Sequence, residues 1–152
     1  MQPSKFFTVV SVVTLALAVP SAHAQESGLV VTPSEMQWKR GDVPGLESVQ
    51  IIGGQFKPGP YVAMVKFPAN FTVKPHSHPE ARQYTVISGT WYVGWGSTFD
   101  ESRLKALPPG SFYTEPANVP HFVLTKEPVI IQVTGSGPSA TNYTAPPPAP
   151  SK

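Results

Sequence analysis

Nineteen prolines and twelve glycines cut this 152-residue chain into pieces too short for long helices, because proline fixes φ and removes a donor while glycine favours turns. The pieces between them are rich in β-branched and aromatic residues, which suit a pleated, half-buried surface. The pattern predicts strands over Ser48 to Ile52, Tyr61 to Phe67, Phe71 to Lys74, Gln83 to Ser88, Thr90 to Trp95, Ser111 to Glu115, His121 to Thr125 and Val129 to Val133. Gly53-Gly54, Pro58-Gly59-Pro60, Ser88-Gly89, Pro108-Pro109-Gly110 and Ala117-Asn118 separate them and supply the dihedrals of tight turns. Strands at this spacing imply an all-β antiparallel sandwich or barrel. Phe99 to Leu107 reads equally as one turn of helix capped by Asp100 or as an irregular strand.

At the N-terminus Lys5 precedes an apolar run of 14 positions, Phe6 to Val19, followed by Pro20 and by Ala22 and Ala24 around His23. This is the pattern of a secretory signal over residues 1–24. The run contains Thr8, Ser11 and Thr14 and falls short of the ~20 apolar residues that span a bilayer. The expectation is a periplasmic or secreted protein with no membrane attachment once the signal is removed. Cleavage there leaves 128 residues, enough for one domain with one core. That domain is expected over residues 25–137, with 138–152 as a Pro-rich tail that is extended and mostly mobile.

The mature chain would carry ten basic and nine acidic side chains without clusters. A phosphate backbone demands a concentrated basic face, so no nucleic-acid partner is expected. Cysteine is absent, and packing and hydrogen bonds alone must hold the fold.

Beyond residue 24 three histidines remain: His76, His78 and His121. The first two lie in Pro75-His76-Ser77-His78-Pro79, and alternate residues of a strand point to one face, so both imidazoles can reach a single ion. His121 follows His78 by 43 positions, far enough to come from another strand pair. Isolated histidines are often mere core or surface residues, and a chance H-x-H is not rare. Here the pair adjoins a strand and the three are the whole inventory.

The pair His76-x-His78 followed by Gly89, then Gly110 with Pro116 and His121 beyond it, resembles the two motifs of the cupin superfamily. The resemblance covers most of the mature chain and implies a single antiparallel β-barrel, a cupin-like jelly roll. It also implies one divalent transition metal ion, iron, manganese, nickel, copper or zinc, held by imidazoles and commonly by one carboxylate. Members include dioxygenases, isomerases, epimerases, decarboxylases, storage proteins and ligand sensors, so the fold does not name the reaction. The chain departs from the pattern in three places. Arg82 stands where the first motif has its glutamate, Asn118 replaces a glycine of the second in a turn where αL is tolerated, and Thr125 replaces its final asparagine.

Without that glutamate, three neutral imidazoles leave a divalent site at a net charge of +2, which favours anionic ligands or hydroxide in its open positions. Gln83 could supply a weak fourth ligand if a bulge turned it inward, and Glu80 could bend back from its loop. Arg82 is either an inward clamp for a substrate carboxylate or a rim residue paired with Glu80 or water. Tyr84 and Tyr113 are candidate pocket donors or core residues. Glu115 is a general base or an outward surface charge. Of Trp91, Val93 and Trp95 against Tyr92 and Gly94, only one set can face inward.

Three functions follow. The first is a metal-dependent, oxygenase-type enzyme acting on a small organic molecule. The second is a non-catalytic module that binds or senses a metal or small ligand. The third is an oligomerising structural or storage barrel, a dimer for example, in which Leu29 to Trp38 swaps between partners.

Overall fold

The computed structural model describes residues 28–41 and 43–144. The expected signal and the last eight residues of the expected tail lie outside them. All elements below belong to the compact unit that begins at Val31. They are eleven strands: β1 Lys39–Arg40, β2 Glu47–Ile52, β3 Gly59–Phe67, β4 Phe71–Ser77, β5 Arg82–Ser88, β6 Trp91–Trp95, β7 Lys105–Leu107, β8 Phe112–Glu115, β9 His121–Thr125, β10 Val129–Gly137 and β11 Asn142–Tyr143, with short 3-10 turns at Pro33–Glu35 and Glu101–Arg103. Among the described residues no helix is long and apolar enough to cross a membrane.

The strands form two antiparallel sheets, one of six in the order β1-β2-β3-β10-β5-β8 and one of five in the order β11-β4-β9-β6-β7. The two sheets are not closed into a barrel by a continuous ladder. The architecture is the jelly roll expected, in the form of a sandwich. Period-two alternation builds its core: Tyr61 and Ala63 of β3, Val86 of β5 and Val129, Ile131 and Val133 of β10 meet Trp91 and Val93 of β6 and Val123 of β9. Burying such side chains contributes roughly 1.5–3 kcal/mol each.

The alternation also settles which face of β6 is inward. Trp91 and Val93 are buried in the core, Trp95 packs against it, and Tyr92 lies on the outer face beneath Lys126. Gly94 shares that outer face, where a Cβ would come within 2.5 Å of the Phe122 ring. The Phe99–Leu107 stretch combines both of its readings. Asp100 caps the 3-10 turn by accepting from the Ser102 amide at 3.0 Å, and β7 then pairs with β6.

Two motif substitutions have structural roles. Asn118 sits at φ 61°, the left-handed turn that its position predicts. Thr125 is fully buried and donates its hydroxyl to the Pro68 carbonyl at 2.6 Å, while accepting from the Phe71 amide at 3.2 Å. It pins the turn between β3 and β4.

The segment after Pro138 differs from the extended, mobile tail that the sequence suggests. β11 pairs with β4, setting Asn142 opposite Ser77 and Tyr143 opposite His76. The Thr144 amide donates to the Pro75 carbonyl at 3.0 Å. The prolines crowd into residues 146–150, and residues 139–144 contain none, so their backbone is free to complete an edge.

Candidate metal centre

His76 and His121 are register partners across β4 and β9, so their side chains share a face. The β4–β9 register shifts between Val73 and His76, where Pro75 lacks an amide and a bulge costs little. One extra residue reverses the parity of the strand. His76 and His78 therefore turn to the side that Phe71 and Val73 already face, and all four line one cavity. His78 lies just past the end of β4, where the Asn118 amide donates to its carbonyl at 2.7 Å. The second motif thus fixes the backbone of the first.

The three side chains are buried, and their ligating atoms lie within 4.8 Å of one another. Each Nδ1 contacts a backbone carbonyl: His76 to Lys74 at 2.7 Å, His78 to Ala140 at 2.7 Å and His121 to Val119 at 3.2 Å. A carbonyl can only accept, so each Nδ1 carries the proton and each Nε2 presents its lone pair. Backbone carbonyls orient metal-bound histidines in the same way. Burial pushes His121 down to about 3 and His78 to about 4, with Arg82 adding to the depression at His78, and lowers His76 as well. All three are neutral at neutral pH, the form in which an imidazole can coordinate a metal.

Arg82 and Glu115 are direct partners across β5 and β8 and are 5% and 2% exposed. Arg82 points inward and is ion-paired: its Nε donates to Glu80 Oε1 at 2.8 Å, Nη1 to His78 Nε2 at 3.0 Å and to the Tyr84 hydroxyl at 3.3 Å, and Nη2 to the Ser139 hydroxyl. It faces inward, so it is not the rim residue of the second alternative, yet its partner is the Glu80 which that alternative named. Glu80 Oε1 also accepts from the Tyr61 hydroxyl at 3.0 Å. Burial would raise Glu80, but donation from Ser139 and the charge of Arg82 outweigh it and hold the carboxyl below its ordinary range.

Glu115 is not an outward surface charge. β8 alternates Tyr113 and Glu115 inward against exposed Phe112 and Thr114. Glu115 Oε1 accepts from the Tyr113 hydroxyl at 3.0 Å, which in turn accepts from Trp91 Nε1 at 2.9 Å. Tyr84 stacks on Tyr113 with ring centroids 4.8 Å apart. Burial pushes Glu115 up to about 7 against the lowering effect of the Tyr84 and Tyr113 hydroxyls. Oε1 lies 3.1 Å from His121 Nε2, Oε2 lies 3.9 Å from His78 Nε2, and Oε2 has no hydrogen-bond partner.

Gln83 does not join this group. It follows Arg82 directly, alternation sends it outward, and it is exposed; the β5–β10 register shift falls at Ile130/Ile131, opposite the far end of β5, and leaves it there. Ser139 and Ala140, which are not among the expected site residues, hold Arg82 and His78. Ala140 acts through its carbonyl, so no side-chain pattern could signal it.

The histidines, Arg82 and Glu115 line a cavity of about 600 Å³ together with Phe67, Phe71, Val73, Trp91, Val123 and Ile131. Donor set and surroundings fit a divalent transition metal: three neutral imidazoles with lone pairs converging, plus a buried carboxylate oxygen without a partner. Arg82 is the group that opposes it, by its charge and by its bond to His78.

The family model of the ChrR cupin-like domain matches residues 26–140. No curated protein sequence matches the chain. Among solved structures, the polyketide cyclase RemF from Streptomyces resistomycificus is similar at TM-score 0.67 and 15% identity, over 82% of this chain and 90% of that one. An RmlC-like cupin from Shewanella frigidimarina NCIMB 400 is similar at TM-score 0.58 and 17% identity, over 74% and 93%. Salicylate 1,2-dioxygenase from Pseudoaminobacter salicylatoxidans, in adducts with gentisate, is similar at TM-score 0.56 and 14% identity, over 68% of this chain and 30% of that one. At these identities the likeness is one of fold. With most of its length matched by one family model, the chain belongs to the ChrR cupin-like domain family, within the cupin superfamily that its histidine and glycine spacing resembles.

Proposed function

We propose that this chain binds one divalent transition metal through His76, His78 and His121 and acts with it, by an oxygenase-type reaction, on a small organic molecule. The observation that carries the reading is the convergence of three buried, neutral imidazoles, their ligand atoms within 4.8 Å of one another, in the lining of a cavity that also presents Phe67, Phe71, Trp91 and Ile131. Bound there, the ion would supply Lewis acidity and, if redox-active, an electron source for dioxygen chemistry.

The chain's own residues supply binding and orientation. Phe67, Phe71, Trp91 and Ile131 take the apolar body of a substrate out of water. Arg82, held by Glu80 and Ser139, directs its guanidinium to the histidines, where an anionic or enolate group of the substrate gains charge-assisted hydrogen bonds. A small aromatic or enolisable acid has this combination of apolar body and anionic head. Residues 1–24 are the basis for placing this activity in the periplasm or outside the cell.

One observation favours a second reading. Arg82 donates to the very nitrogen of His78 that a metal would take, which suits a non-catalytic barrel binding a small anion through Arg82 alone. Metal analysis of the tag-free protein, followed by oxygen-uptake assays with small aromatic and enolisable acids, separates the two. Near-stoichiometric metal with uptake that disappears in His121→Ala supports the enzyme. Saturable binding without conversion, unchanged in that variant, supports the binding module.

A further inference from the structure

We propose that Glu115 is the fourth metal ligand, replacing from across the β5–β8 ladder the carboxylate that the first motif lacks at position 82. The inference rests on the three-histidine reading above and adds a residue from a different strand to it.

Position 82 and position 115 are direct partners in the antiparallel ladder. Opposed residues project to the same face with their Cβ atoms about 5 Å apart. A carboxylate lost from one of them can therefore be recovered from the other without a change of fold. Glu115 has the geometry for it. Ligand atoms held at about 2.1 Å from one ion lie roughly 3–4.2 Å from each other, and its oxygens lie 3.1 Å and 3.9 Å from the Nε2 atoms of His121 and His78.

The contact with His121 also needs a proton or a cation, and in the metal-free protein the raised Glu115 carboxyl can supply the proton. His121 Nδ1 donates to Val119, which leaves Nε2 as an acceptor facing the acceptor Oε1 of Glu115. Two acceptors at 3.1 Å repel unless a proton or a cation lies between them. A metal at the centre of the histidines satisfies both, and it gives Oε2, buried without a hydrogen-bond partner, the partner it lacks.

The surroundings leave Glu115 available. The ion pair of Arg82 is with Glu80, at 2.8 Å, so Arg82 has its counter-charge elsewhere. The Trp91 to Tyr113 to Glu115 chain ends on Oε1 and fixes the rotation of the carboxylate, as outer hydrogen bonds do for metal-bound carboxylates. Glu80 also has one buried oxygen without a partner, but its other oxygen serves Arg82 and Tyr61, and it is the counter-ion.

Cobalt(II) titration of the full chain without a histidine tag tests this, read by the d–d absorption band and by competition with a chelating dye. Wild type is expected to take up one ion, and Glu115→Gln to bind it about 10- to 100-fold more weakly, with a shifted band. The metal-free variant should unfold at no lower temperature than wild type, because the side-chain amide it introduces can donate to His121. Glu115→Asp is the second variant, expected to bind with an altered band because its carboxylate is withdrawn by one methylene. Wild-type affinity and band in both variants, with binding abolished in His121→Ala, overturn the Glu115 assignment and leave the three-histidine centre standing. A wild-type protein that takes up no cobalt overturns both.

Discussion

The backbone amide of Asn118 donates to the carbonyl of His78 at 2.7 Å, so a left-handed turn in one motif holds a histidine of the other. The turn requires φ 61° at position 118, which asparagine and glycine adopt readily and β-branched residues do not. Asn118→Gly should leave stability and metal affinity close to wild type. Asn118→Val should lose about 1–2 kcal/mol, seen as a melting temperature lower by roughly 5–10 °C, and should bind metal more weakly because His78 is released. Equal melting temperatures for the two variants would show that the turn is not what constrains the site.

The histidines and Glu115 set opposing pH dependences on the metal-free protein. The unfolded histidines take up protons near pH 6.5, whereas burial pushes His78 down to about 4 and His121 to about 3 and lowers His76. Their contribution is present above pH 6.5 and lost as pH falls through the folded values. Glu115, pushed up to about 7, acts in the opposite sense: its contribution is present below the unfolded carboxyl value near 4.3 and lost as pH rises through 7. Three groups outweigh one. Unfolding free energy should fall on acidification by at least about 1 kcal/mol per pH unit around pH 5.5, with His76 adding to the slope in the same direction. Glu115→Gln removes the opposing proton and should steepen the slope by roughly 1 kcal/mol per pH unit. Urea titrations in chelator between pH 4.5 and 7.5 measure both slopes, and a flat wild-type profile would contradict the burial of the histidines.

The strands were legible because proline and glycine punctuate them and β-branched and aromatic residues fill them. The three histidines were legible because few others exist. What stayed hidden depended on pairing between distant segments. Whether Glu115 is a general base or an outward charge stays open until β8 is set against β5, and Arg82 reads as a misfit until Glu80, Tyr61 and Ser139 surround it. The bulge at Pro75 decides the direction of His76 and His78, and alternation alone does not show a one-residue parity change.

The segment after Gly137 supplies two of these hidden partners, the Ser139 hydroxyl to Arg82 and the Ala140 carbonyl to His78. It also adds β11 to the edge at β4. A chain ending at Gly137 should remain a β-sandwich by circular dichroism but lose at least about tenfold in metal affinity, because removing an outer-shell partner of a metal-bound histidine has that effect. Ser139→Ala, which frees one bond of Arg82 and leaves Ala140 in place, should affect binding of anionic ligands more than binding of metal. Unchanged metal affinity in the shortened chain would show that His78 does not need the Ala140 carbonyl.

Val123 offers a way to separate the cavity from the metal. It lies two residues beyond His121 on β9, is buried, and lines the same cavity, so its side chain stands beside the histidines on the face a substrate must approach. Val123→Phe directs a ring into that space at an overpacking penalty of about 1–3 kcal/mol, with no ligand atom changed. Metal content should remain within about twofold of wild type, since the 10- to 100-fold losses arise from altered ligands and their partners. Oxygen uptake, or binding of a small aromatic acid, should fall at least as far as in His121→Ala. Were binding and turnover to persist at wild-type levels, the organic molecule would have to approach the ion from outside the cavity, and the apolar walls would be core and nothing more.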